Sequence, residues 1–296
     1  MNYNTETTQV QFINQAFVDK LNRGMTKEAE LAMTTFVRQK LREMGFARKI
    51  LGFNPITPAE LDRQTTEEPT VIVEKEPDSV AASMGFTGRG AIRYFKAARY
   101  PVTFEKIESE DFRKSKFELS TYRTDIPTIL QENSVRDLQT QEDTGLYQNV
   151  LSIANTTGNV YNLTGGLTSQ NLLTGVSYLV KNQLPVGKVL MTQSAYLTLI
   201  GQPATNIGSI AASELFKGQT GISTPYGFEI ITTIKNDVLP DNQFIVFAQP
   251  NYLGQFYALQ DATIFLKAEK DMVEFSVYES VGIGIGNVKA AVVCNF

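Results

Sequence analysis

Asp125 and Pro127 supply a helix start for the run TILQENSVRDLQTQEDTGLYQNVLSIAN, in which Val135, Leu138, Leu146, Val150 and Ile153 return on one helical face. At about 1.5 Å per residue, a helix over 126–154 extends about 43 Å. That is longer than a small domain needs. Glu132 and Arg136 stand four residues apart on its flank. Glu142 interrupts the apolar stripe, and Gly145 weakens the helix by about 1 kcal/mol relative to alanine.

The pattern changes on either side. Residues 9–53 read as helices: Val10, Ile13, Phe17 and Leu21 recur at helical spacing, and a second stretch opens at Thr26 as N-cap. Gly52 and Pro55 stop it, and the proline-containing segment 54–70 suits a linker or extended strap. This first fifth of the chain reads as an arm too small to own a core. TVIVEKE, RYPVTFEKIES and KFELSTYRT have the alternation and β-branched content of strands. Beyond the long helix, an amphipathic helix with Leu172, Val176 and Leu179 precedes the buried strand GKVLMT and the helix QSAYLTLIG. FEIITTI and NQFIVFA read as strands joined across KNDVLPD, and the chain is strand-rich to its last residue.

Composition excludes several functions. The chain has 296 residues with a formal net charge of -4, which argues against a dedicated nucleic-acid binder. One cysteine, Cys294, permits neither an intrachain disulfide nor a thiolate zinc cluster. There is no histidine, which removes the commonest general base, the Ser-His and Cys-His nucleophile systems and every imidazole metal site. Carboxylate pairs remain for an enzyme, but the densest acidic cluster, ESED at 108–111, sits between strand-like runs as a solvated turn. GIGIGN at 282–287 lacks the G-x-G-x-x-G spacing and the following helix of a dinucleotide site. Nothing marks a catalytic, cofactor or metal site. The N-terminus lacks a secretion pattern and no run has the roughly 20 apolar residues of a membrane span, so the expected location is the cytoplasm.

One stretch stands against the acidic background. From Val80 to Phe104 there is no acidic residue, while Arg89, Arg93, Lys96 and Arg99 alternate with Phe86, Tyr94, Phe95 and Tyr100. Three readings fit: a grip on nucleic acid, an arm laid on a neighbouring protein, or a hairpin packed on its own domain. A loop of this length between two strands is usually functional or disordered, and its aromatics argue against disorder.

The order of these parts resembles the major capsid protein of tailed bacteriophages, the Hong Kong phage-type fold. The segments DIPTILQENSVRDLQTQED, KVLMTQSAYLTLI, GISTPYGFEIITT and VEFSVYESVGIGIGNVKAAVVCNF are similar to that family in sequence order. The resemblance implies an α+β chain with an N-terminal arm at 1–66, an extended loop (E-loop) at 67–104 and a peripheral domain with a spine helix at 105–160. An inserted α/β axial domain at 161–261 and peripheral return strands at 262–296 complete it, the latter expected to pair with 105–124. It also implies a non-enzymatic subunit that self-assembles into hexamers and pentamers of an icosahedral shell around double-stranded DNA, with an encapsulin-type nanocompartment as the alternative. The extended loop would then lie over the adjacent subunit, with Phe86, Arg89, Arg93, Tyr94, Phe95 and Arg99 as anchors and Glu132, Asp137, Glu142 and Asp143 of the spine helix as the landing surface. An arm that begins almost at Met1 leaves no room for a fused scaffolding segment, so a separate scaffolding protein is implied. A portal, non-specific contact with packaged DNA, no membrane and assembly in the host cytoplasm are implied too, and decoration proteins are left open. Some members join loop and neighbour through a Lys-Asn bond, for which Lys96 and Asn287 are conceivable partners. An enzyme with a carboxylate pair and a monomeric nucleic-acid-binding module are the readings outside a shell.

Overall fold

The computed structural model describes residues 3–62, 69–75, 83, 86, 88, 98–121, 126–201, 222–223 and 228–296. Helices α1 (Tyr3–Asn22), α2 (Thr26–Met44) and α3 (Phe46–Ile50) lead into strand β1 (Gly52–Pro55). Strands β2 (Thr70–Lys75) and β3 (Ala98–Thr103) form an antiparallel hairpin, followed by β4 (Glu105–Glu108) and β5 (Phe112–Ser115). Helix α4 (Lys116–Thr121) precedes the long α5 (Ile126–Thr157), which at about 1.5 Å per residue spans about 48 Å. Then come β6 (Val160–Asn162), α6 (Ser169–Lys181), β7 (Val186–Thr192), α7 (Gln193–Ile200), β8 (Ile222–Ser223), β9 (Glu229–Thr233) and β10 (Gln243–Ala248). The chain closes with β11 (Gly254–Glu269), β12 (Met272–Ile285) and β13 (Ala291–Asn295).

Two larger sheets organise this mixed α+β chain. In one, β1, β11, β12 and β4 lie side by side, with β5 also on β12; in the other the order is β6-β13-β10-β7-β9-β8. Helix α5 serves both. Near its start, Val135 and Leu138 join Val18, Leu21, Met33, Val37 and Leu41 over the inner face of β11 and β12, where Ile264, Leu266, Val273, Phe275 and Val277 point. Further along, Leu146, Val150 and Ala154 enter a core shared with α6, α7 and the six-stranded sheet.

The first helices therefore differ from the expected polar arm. Both α1 and α2 bury apolar faces on the five-stranded sheet, Phe17 stacks on Phe275 with ring centroids 6.4 Å apart, and β1 pairs in parallel with β11. Their apolar residues are too few for a core of their own, but they complete one supplied by strands more than 200 residues away. Thr26 is the first helical residue of α2; Met25 occupies the cap position and no side chain caps that end.

Residues 116–121, expected as a strand, form α4. The Ser115 hydroxyl accepts the Glu118 amide at 3.1 Å, in N-cap fashion, and the turn carries Leu119 into the α1–α5 core. Of the expected return strands, β12 pairs with β4 and β5 across the long intervening segment. Strand β13 does not join them: it enters the six-stranded sheet between β6 and β10, where Ala291–Cys294 are all buried. That continuous apolar run suits a strand covered on both faces. Strands β9 and β10 are not neighbours either, because β7 inserts between them, parallel to β9 and antiparallel to β10.

Helix α6 shows how closely this unit is packed. Its N-cap Thr168 accepts the Asn171 amide, and Gly175 faces the sheet so that an added Cβ would lie 2.7 Å from the Phe244 ring and 2.9 Å from Cys294 Sγ. Gly175→Ala should therefore destabilise the fold despite gaining about 1 kcal/mol of helix propensity, because overpacking against a fully buried ring costs about 1–3 kcal/mol. The midpoint of urea unfolding measures the balance, and a stabilised variant would contradict this account of the packing.

Candidate functional site

The hairpin β2–β3 emerges from the five-stranded sheet at a row of glycines. Added Cβ atoms on Gly282 and Gly284 of β12, and on Gly286 just past its end, would meet Thr103 O, Val102 Cγ2 and Tyr100 Oη respectively, each at 2.9 Å. The spacing that fails as a nucleotide motif thus lets β3 cross β12 at close range. Val102, Phe104 and Tyr257 are buried together there, with Ile56, Leu61, Val71 and Val73 packed around them. Asp62 Oδ2 accepts the Ile72 amide at 2.7 Å and the Phe104 amide donates to Pro69 O at 3.1 Å, so the root of the hairpin is pinned from both sides.

Further out, Arg99 reaches Glu74 of its own hairpin at 2.6 Å, both side chains being more than half exposed. Such an exposed pair contributes about 0–1 kcal/mol and leaves Arg99 able to exchange partners. Phe86 is fully exposed, whereas Arg89, Arg93, Tyr94 and Phe95 lie outside the described residues. The ESED segment is the β4–β5 turn, with Glu108, Glu110 and Asp111 exposed.

The four acidic residues expected as a landing surface separate into two kinds. Glu132 and Asp137 are exposed on α5, and partial burial together with the charge of Glu110 raises the Asp137 carboxyl above its ordinary range. Glu142 and Asp143 are not surface groups at all; both side chains are 0% exposed. Asp143 accepts Lys235 Nζ at 2.8 Å and the Ala47 amide at 2.9 Å. Glu142 accepts Arg48 Nη2 at 2.6 Å and Arg48 Nε at 2.8 Å. The reason for this correction is geometric: positions 135, 138, 142 and 146 share the inward face of α5, so Glu142 continues the apolar stripe as a buried charge.

Arg48 sits at the centre of this node. Besides Glu142, its Nη2 reaches Glu279 of β12 at 3.0 Å and its Nη1 reaches Asp261 of β11 at 2.9 Å. The rings of Phe53 and Phe256 lie over the guanidinium at 5.2 and 5.5 Å. Burial opposes its charge, but Glu142, Glu279 and Asp261 together hold it protonated. Burial likewise raises the carboxyls of Glu142 and Asp143, against the pull of Arg48 and Lys235. For Glu279, burial and then the neighbouring Glu142 charge push the carboxyl up to about 9. Arg48, Lys235, Asp261 and Glu279 did not stand out in the sequence. One signal was present: Val273, Phe275, Val277, Glu279 and Val281 alternate inward along β12, and a carboxylate in such a row needs a buried partner.

Cys294 is buried and its thiol is pushed up to about 12 by that burial, the state of an inert core cysteine. Among the described residues no group of His, Cys, Asp and Glu could hold a metal ion, and no helix is long and apolar enough to cross a membrane.

Compared by sequence, the chain matches no protein-family model and no curated protein. Compared by structure, it is similar to a virus-like particle from Pyrococcus furiosus, at 19% identity and TM-score 0.55, over 89% of this chain and 98% of that one. It is similar to a chain of Microbacterium phage Oxtober96, at 11% identity and TM-score 0.62, over 85% of this chain and 91% of that one. A third likeness is to the capsid structure of the cyanophage P-SCSP1u, at 12% identity and TM-score 0.58, over 83% of this chain and 86% of that one. At these identities the likeness is one of fold, and at that level the resemblance to phage capsid proteins holds.

Proposed function

We propose that this chain is the major capsid protein of a tailed bacteriophage, a non-enzymatic subunit that builds hexamers and pentamers of an icosahedral shell around double-stranded DNA. The observation that supports this best is a near full-length likeness to a phage capsid chain, 83% of this chain against 86% of that one. In this reading α5 and the five-stranded sheet make the peripheral domain, the six-stranded sheet makes the axial domain, and β2–β3 is the root of the extended loop. The loop lies on a neighbouring subunit through Phe86, Arg89, Arg93, Tyr94, Phe95 and Arg99. Glu132 and Asp137, the two exposed members of the acidic set, receive it. Exposed pairs of this kind set register and specificity more than affinity. A separate scaffolding protein and a portal complete assembly in the host cytoplasm, and DNA is held by non-specific contact, in keeping with a net charge of -4.

A second reading, an encapsulin-type nanocompartment, is favoured by the likeness to the Pyrococcus virus-like particle, which covers 98% of that chain. Expression of the full chain, sizing chromatography and negative-stain microscopy separate a shell from a monomer. Contents separate the two shells: nucleic acid supports the capsid, a copurified enzyme the compartment. A chain that stays monomeric with and without candidate scaffolding proteins would overturn both.

A further inference from the structure

In the node around Arg48, two fully buried carboxylates share a single cation. Asp143 of α5 is matched by Lys235, which follows β9. Asp261 of β11 lies near Arg38 and Arg42 of α2, at 3.5 and 4.0 Å, as well as near Arg48. That leaves Arg48 of α3 between Glu142 of α5 and Glu279 of β12, both side chains 0% exposed. Across the ladder from Glu279, β4 presents Ile107, which brings no charge. Glu279 Oε2 meets Arg48, but Oε1 is buried with no hydrogen-bond partner among the described residues. A buried ionised carboxylate with one orphaned oxygen is costly, whereas a carboxyl O–H at that position becomes a donor beside the acceptor oxygens of Glu142.

We infer that Glu279 carries a proton that it shares with Glu142, and that this buried proton is a pH-sensitive clamp joining the long helix to the five-stranded sheet. With the proton in place, one guanidinium faces one net negative charge. When hydroxide or another solvent base removes it, two buried carboxylates face one guanidinium, and the repulsion is relieved by separating α5 from β12. The inference does not depend on the chain's role in a shell.

The sign follows from linkage. The Glu279 carboxyl is raised from 4.5 to about 9 on folding, so the folded chain keeps a proton that the unfolded chain releases. The stability from this proton is complete below 4.5, declines as pH rises and is gone above about 9. Infrared spectra of the full chain should show a protonated-carboxyl band at neutral pH that disappears as pH passes about 9. Glu279→Gln should fold, since its amide can donate where the carboxyl did, and should lack that band. In urea unfolding, the folded-to-unfolded ratio of wild type should fall about tenfold per pH unit relative to Glu279→Gln within this window. Amide exchange along 139–146, corrected for its intrinsic base catalysis, should accelerate with pH in wild type only. If Glu279→Gln does not fold, Glu142→Gln serves: removing the like charge should move the loss of the band to lower pH. Absence of the band in wild type, its persistence in Glu279→Gln, equal pH slopes for the two chains, or an unmoved band in Glu142→Gln would each overturn the inference.

Discussion

Deleting residues 85–98 and bridging the gap with a short glycine linker should leave a soluble, folded subunit that forms no stable particles. Folding survives because the packed root of the hairpin is kept, where Val102, Phe104 and Tyr257 are buried and the glycines of β12 admit β3. On the proposed loop contact assembly fails, because the deletion removes Phe86, Arg89, Arg93, Tyr94 and Phe95, whose rigid rings and bidentate donors supply contact at modest entropy cost. Sizing chromatography and negative-stain microscopy read the result, with circular dichroism as the check on folding. If the run instead grips DNA, intact shells form but stay empty; if it only packs on its own domain, particles are normal.

Charge reversal refines the same test. Arg93→Glu should weaken assembly at moderate salt by about 1 kcal/mol or less per contact, a loss repeated around every closed ring. The compensating change belongs at Glu132 or Asp137. A lysine at Glu142 or Asp143 should fail to rescue and should unfold the chain, because those positions are enclosed by Arg48 and Lys235.

What could be read in advance follows from where the information lay. The long helix and the strand β12 that pairs with β4 and β5 announce themselves by local periodicity, and β7 by a continuous apolar run whose consecutive residues Val189–Thr192 are all buried. The placement of α1 and α2 could not be read that way. Their apolar stripe is completed by Ile264, Phe275 and Val277, and a sequence window cannot show which distant strand a helix will cover. The same holds for β13, whose apolar run fits either sheet until its partners are known. Glu142 is the instructive case. Its position on the stripe of α5 reads as an interruption when taken alone and as half of a buried charge node once Arg48 and Glu279 are set beside it. Patterning reports that a residue faces inward; it does not report that a counter-charge is waiting there.

That node sets the second large effect. Arg48→Met should cost about 3–5 kcal/mol, since it removes the one cation among the described residues that meets both Glu142 and Glu279 and strands the buried charge that the pair carries. Lost cation–π contact with Phe53 and Phe256 adds to this, although methionine recovers part of the packing against the same rings. Asp261 is affected less, because Arg38 and Arg42 remain near it. The defect should depend on pH in one direction. With the guanidinium gone, the carboxyls of Glu142 and Glu279 are both raised further in the folded state, so the variant is least impaired in acid and worsens as pH rises. Replacing all three groups together, as Arg48→Met with Glu142→Leu and Glu279→Leu, should restore most of the stability, because apolar groups of similar volume need no desolvation of charge. Urea unfolding of the single and triple variants at two pH values measures each step. A triple variant as weak as the single would mean that the loss came from packing around Arg48 and not from the stranded carboxylates. The two large effects therefore part cleanly: the loop deletion should remove assembly and spare the fold, whereas the Arg48 substitution should weaken the fold itself.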